Sequence, residues 1–190
     1  IEDYPVTLFL SQHGYFKKIT PQSLRMSGEQ KFKEDDALSM SVESSNAAEL
    51  MFFTDKAQVY KTGACDFADG KASQLGDYLP AKLGMDEGES VMGMVLPGDY
   101  SGYMIFFFEN GKAAKVELSA YKTTSNRRRL TGAYSDKSPL KALLHLKEDH
   151  EIAVYSTEPR VLIVNTALLG VKTTRTTQGV ALLTLKKKYV

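Results

Sequence analysis

FFFENGKAAKV, residues 106–116, reads as two extended apolar runs joined by a tight turn, and three other stretches repeat it. FLSQHGYFKKI (9–19), FFTDKAQVYKT (52–62) and VYSTEPRVLIV (154–164) align with it at a period of about fifty residues. Each keeps large apolar residues, a polar turn and a returning strand in register. Gly14, Ala57, Gly111 and Pro159 occupy the turn position. Asn110-Gly111 is the strongest turn signal, because glycine accepts the positive φ that a two-residue hairpin turn demands.

Every repeat closes on a further alternating apolar stretch: ALSMSV (37–42), SVMGMVL (90–96), LKALLHL (140–146) and VALLTL (180–185). Ser138-Pro139 could open a helix, but Leu140, Ala142, Leu144 and Leu146 fall on one face of a strand, so a strand is expected there. Residues 72–83 are interrupted by Gly76 and Pro80 and read as a connection with one helical turn. The expectation is an all-β, single-domain radial fold, a β-pinwheel of about four four-stranded blades. Its repeats run over about residues 5–45, 46–97, 98–147 and 148–190.

An apolar fraction of 43% and a charged fraction of 25% are ordinary for a folded globular chain and argue against disorder. No apolar run approaches the ~18 residues that span a bilayer, so no membrane is expected as partner. The start Ile1-Glu2-Asp3 has no initiator Met and no signal sequence, as expected of a domain excised from a longer chain. A single cysteine, Cys65, fits a reducing cytoplasm and reads as a buried, inert thiol.

Charge is unevenly placed. Residues 1–100 hold 9 Lys and Arg against 16 Asp and Glu, whereas residues 101–190 hold 15 against 7. The basic half points to an anionic partner. Its densest element is KTTSNRRRL (122–130), where Arg127, Arg128 and Arg129 directly follow hydroxyl and amide groups and Lys122 stands before them. Arginine forks and neutral donors together suit phosphate oxygens. Four residues beyond each turn position stand Lys18, Lys61, Lys115 and Ile163. Three lysines at equivalent sites are expected around the rim, where they either follow a bent phosphate backbone or protect strand edges. Lys17, Arg25, Lys112, Arg160, Lys172 and Arg175 complete the candidate DNA contacts, and Lys186, Lys187 and Lys188 form a basic run that could equally open a linker.

Catalytic patterns are missing. His13, His145 and His150 lack metal-ligand spacing, Glu148, Asp149 and Glu151 read as a solvated cluster beside a turn, and no Gly-x-Ser-x-Gly or phosphate loop occurs. No catalytic or metal site is therefore expected. A protein-interaction platform that binds no DNA is the competing class.

The opening IEDYPVTLFLSQHGYFKKI, with Gly14, Tyr15, Phe16, Lys17 and Lys18, resembles the start of the C-terminal β-pinwheel of the A subunit of bacterial type IIA topoisomerases, gyrase and topoisomerase IV. Residues 106–140 are similar to a middle blade of the same family, and the resemblance runs through all four repeats. It implies a non-catalytic domain that binds and bends duplex DNA flanking the cleaved segment. It also implies a heterotetramer in which the ATPase B subunit joins the rest of the A subunit, acting in the cytoplasm on the nucleoid. By the same resemblance the domain takes no cofactor, and ATP and magnesium serve the parent enzyme. Gyrase carries a glutamine-, arginine- and glycine-rich box in its first blade, where this chain reads RMSGEQKFKEDD (25–36). The paired arginines and glycine doublet are missing and acids intrude, so the resemblance is closer to topoisomerase IV than to a supercoiling gyrase.

Overall fold

In the computed structural model, which describes residues 1–125, 127–156 and 160–182, the repeated stretches are antiparallel hairpins. The chain forms two compact units, Ile1–Gly98 and Asp99–Val190, each with two of the repeats.

The first unit opens with β1 (Pro5–Ser11) and β2 (Tyr15–Ile19), paired so that Leu8 faces Lys18 and Leu10 faces Phe16. Three residues separate the strands, and Gly14 N donates to Ser11 O at 3.1 Å with φ +89. This is a three-residue loop ending in a left-handed residue, and the third hairpin has the same form, residues 109–111 with Gly111 at φ +85, where Asn110-Gly111 was expected to make a two-residue turn. A short helix, α1 (Pro21–Met26), follows; Thr20 caps it by accepting from Ser23 N, and Pro21 fills the first turn. That helix was not anticipated, although Thr20-Pro21 carries its start signal.

Next, β3 (Leu38–Ser45) returns to the outer side of β1, with Leu8 opposite Val42. The second hairpin is β4 (Glu49–Thr54) and β5 (Gln58–Gly63), with Ala57 in the left-handed turn position at φ +52. From the second repeat, β6 (Asp77–Tyr78) crosses to the first and pairs with β2, Tyr15 opposite Tyr78. The single turn expected near Pro80 is α2 (Leu79–Lys82). Then β7 (Val91–Val95) pairs with β4. Leu8, Leu10, Phe16, Leu50, Phe52, Phe67 and Met94 form one buried cluster across both repeats, with the Phe16 and Phe67 rings 4.4 Å apart.

The second unit repeats the scheme. Its elements are β8 (Tyr103–Phe108), β9 (Lys112–Glu117), β10 (Arg129–Thr131), β11 (Leu140–Leu146), β12 (Glu151–Tyr155), β13 (Val161–Asn165), β14 (Val171–Lys172) and β15 (Val180–Ala181). The Ser138 stretch is the strand its alternation indicates: β11 pairs with β8, and β8 with β9. From the fourth repeat, β14 and β15 both cross to β9, Lys172 facing Val116 and Val180 facing Ala113. Residues 180–185 were expected to close the fourth hairpin; instead Val180 and Ala181 belong to the third. Apolar alternation reveals a strand but not its partner. Leu183, Thr184 and Leu185, Pro159 and Lys186, Lys187 and Lys188 lie outside the described residues.

Cys65 is exposed, contrary to expectation, because its short 3-10 turn (Ala64–Asp66) turns Ala64 inward and is followed by buried Phe67. No described helix is long and apolar enough to cross a membrane. The uneven charge follows the two units: Ile1–Gly98 holds 9 Lys and Arg against 15 Asp and Glu, and Asp99–Val190 holds 15 against 8.

Candidate nucleic-acid interface

The basic connection begins where β9 ends. Leu118 and Tyr121, both buried, anchor a 3-10 turn (Leu118–Tyr121), and the Tyr121 hydroxyl donates to Ala133 O at 2.6 Å. The segment between those two points is held at its base, and it includes β10, whose Leu130 is buried. Lys122 is exposed, with Nζ 5.9 Å above the Tyr100 ring. Thr123 Oγ1 donates to Ser125 O at 2.9 Å and Arg127 N to the same carbonyl at 2.7 Å, which bends the chain just before the arginines. Arg127, Arg128 and Arg129 are all exposed, and the next residue, Leu130, is buried.

Lys172 is exposed on β14, alongside Val116 of β9. Arg175, three residues on, reaches Ala120 O and Gly132 O at either end of the connection. The fold therefore brings Lys122, Arg127, Arg128, Arg129 and Lys172 to neighbouring segments of the second unit. Arg160 is exposed on the fourth hairpin and Lys112 half-buried at the start of β9. Arg25 is exposed on α1, in the first unit.

The repeat lysines stand elsewhere. Lys18, Lys61 and Lys115 are 3%, 9% and 3% exposed, so they are interior residues, not a rim track and not edge protection. Each faces a large apolar residue across its hairpin, respectively Leu8, Met51 and Ile105. Lys18 Nζ donates to Asn46 Oδ1 at 2.6 Å, lies 3.3 Å from Asp69 and sits over the Tyr4 ring. Lys115 Nζ donates to Asp149 Oδ1 at 2.8 Å and Thr166 O at 3.0 Å, 4.2 Å from the Tyr103 ring centroid. In both cases the lysine of one repeat fastens the next.

Lys17 is buried too, donating to the carbonyls of Lys31, Ala72 and Gln74, and burial pushes its ammonium below the usual lysine range. A buried ammonium already committed to carbonyls or carboxylates cannot turn to a phosphate without opening the hairpin. Sequence reasoning missed the partners Asn46, Asp69 and Asp149. For two of them the signal was an Asx residue just ahead of a hairpin's first strand.

Asp149, expected to be merely solvated, is held below the usual carboxylate range by the Lys115 ammonium first and the Thr166 hydroxyl second. With the folded pKa depressed, the unfolded chain binds more protons in the acid range. The stabilisation is complete above the unfolded carboxylate pKa and is lost as pH falls through the lower, folded one. Thermal melts between about pH 6 and pH 3 are expected to show a shallower acid-side fall for Asp149→Asn than for the parent chain. An unchanged fall would remove Asp149 from the acid response.

Among the described residues no three His, Cys, Asp or Glu side chains are placed to hold a metal ion. Hairpin blades that lend a strand to the preceding blade, as β6 does to β2 and β15 to β9, define a β-pinwheel.

No family model matches the chain. The fold is that of a solved structure described as the C-terminal domain of DNA topoisomerase IV, with a TM-score of 0.86 at 21% identity over 100% of this chain and 60% of that one. A gyrase A C-terminal domain superposes with a TM-score of 0.62 at 15% identity, over 98% of this chain and 63% of that one. In sequence, the chain is 30% identical over 155 residues to the DNA topoisomerase 4 A-subunit of Staphylococcus epidermidis, covering 78% of this chain and 19% of that protein. The chain is thus a relative of topoisomerase IV A subunits and folds as their C-terminal β-pinwheel. It spans about a fifth of the length of the curated relatives it matches.

Proposed function

We propose that this chain is a duplex-binding and duplex-bending domain of a type IIA topoisomerase A subunit, of the topoisomerase IV kind. The observation that carries the reading is the gathering of Lys122, Arg127, Arg128, Arg129 and Lys172 on the unit that holds the excess of positive charge. Arginine forks meet phosphate oxygens, and the described helices are short turns, so contact is to the backbone and largely independent of sequence. Smoothly bending a short duplex by tens of degrees costs a few kcal/mol, within reach of a handful of such contacts. The ATPase B subunit, with the rest of the A subunit, would complete a heterotetramer that works on the nucleoid in the cytoplasm. Cleavage, ATP and magnesium would belong to those parts, and this domain would need no cofactor.

Two measurements test the proposal. With Lys17, Lys18, Lys61 and Lys115 interior, the exposed candidates of the second unit are Lys122, Arg127, Arg128, Arg129, Arg160 and Lys172, so log affinity should fall with log salt at a slope of roughly −4 to −6. A flat salt response would favour a protein-interaction platform instead. Because Glu34, Asp35 and Asp36 stand where gyrase carries its basic box, the domain should bend DNA without wrapping it. Circular DNA relaxed in its presence should keep its linking number, and a clear positive shift would overturn bending without wrapping and show that the box residues are dispensable.

A further inference from the structure

We infer that Arg175 is a positioning residue for the basic connection rather than one of its phosphate contacts, an inference that rests on the DNA-binding reading above. Its guanidinium is spent on two backbone carbonyls: Nη1 donates to Ala120 O at 3.0 Å and Nε to Gly132 O at 3.4 Å. Those carbonyls lie on either side, in sequence, of Lys122, Arg127, Arg128 and Arg129. One side chain therefore joins the two ends of the segment that carries the candidate contacts. The planar fork of arginine can span two acceptors in this way, whereas the single ammonium of lysine cannot hold both at once with the same geometry.

Arg175 is itself fixed. It lies at the bend between β14 and β15, and both strands are laid on β9, with Val171 opposite Lys115 and Val180 opposite Ala113. The bend closes with Thr177 N donating to Thr174 O at 3.3 Å, and the side chain is half-buried. A second link runs parallel to the first, from the Tyr121 hydroxyl to Ala133 O. Burial pushes that hydroxyl far above the usual tyrosine range, so it remains a donor at every working pH. Held at both ends, the connection presents its cations at a fixed spacing, and the ordering entropy of the segment is spent before DNA arrives.

Arg175→Gln in the 190-residue chain tests this in two ways. Without DNA, trypsin cleavage after Arg127, Arg128 and Arg129, followed by mass, should quicken about tenfold, the scale set by losing a pair of charge-assisted hydrogen bonds from a local opening equilibrium. Arg175→Lys should quicken it as well, and serves alone if the glutamine variant fails to fold. Parent-like cleavage in Arg175→Lys would overturn the inference, whatever the DNA result.

With a short duplex, both variants should bind more weakly than the parent. In a chain already carrying Arg127→Ala, Arg128→Ala and Arg129→Ala, adding Arg175→Lys should change binding less than about twofold, since positioned groups are no longer there to lose. Restoration of binding by lysine, or a full additive loss, would make Arg175 a direct phosphate contact. If no variant and no parent binds duplex, the DNA reading fails while the cleavage result still decides the role of Arg175 in holding the connection.

Discussion

Replacing Arg127, Arg128 and Arg129 together with alanine should weaken duplex binding on the order of a hundredfold at moderate salt and make the salt slope shallower by about three. The melting transition should move little, because the three side chains are exposed while the connection is anchored by buried Tyr121, Leu130 and Ala133. Fluorescence anisotropy across a salt series separates the two parts of the prediction. A loss of affinity at unchanged slope would mean that the arginines shape the surface without touching phosphate. Unchanged binding would move the interface off the connection altogether.

The contrast with the repeat lysines shows what a sequence discloses and what it conceals. Hairpins were legible because paired bulky residues and a polar turn recur at a fixed interval, with glycine at the turn position in two of the four. They are observed as β1–β2, β4–β5, β8–β9 and β12–β13. The exposure of the three arginines follows from their density of charge, which is costly to bury.

Lys18, Lys61 and Lys115 recur with the same regularity, and regularity on a radial fold suggested a rim. What decides their burial is the strand opposite. The runs LMFF in β4 and MIFFF in β8 carry apolar residues on both faces, a mark of strands covered on both sides. Lys61 and Lys115, paired beside those strands, are covered too, and in YFKKI Lys17 and Lys18 point to opposite faces and both are buried although the neighbouring β1 alternates. The acceptors that meet the Lys18 and Lys115 ammonium groups include Asn46, Asp69 and Asp149, between 28 and 51 positions away in sequence, and pattern alone does not reach that far. Strand exchange was concealed for a similar reason: VA of β15 and DY of β6 are two-residue pairings, too short for any period to register.

Those short exchanged strands make the largest stability prediction. The residue before each is a glycine at positive φ pressed against the strand it joins. A Cβ built on Gly76 would lie 2.4 Å from Phe16 O, and one on Gly179 would lie 2.0 Å from Ala113 O. Both contacts are with backbone, which cannot rotate away, so relief requires β6 or β15 to lift from its neighbour. Gly84 supplies the control, since it also has positive φ, at +63, but nothing lies within 4 Å of its added Cβ. Gly84→Ala measures the dihedral penalty alone, about 1–2 kcal/mol. Gly179→Ala and Gly76→Ala add overlap with a hydrogen-bonded strand, a further ~1–3 kcal/mol or more, for a total of about 2–5 kcal/mol. Chemical denaturation of the three variants should therefore rank Gly84→Ala well above the other two in stability. Hydrogen exchange should show faster exchange along β9 in Gly179→Ala and along β2 in Gly76→Ala. Equal stabilities for the three would mean that the exchanged strands contribute nothing to holding one hairpin blade against the next.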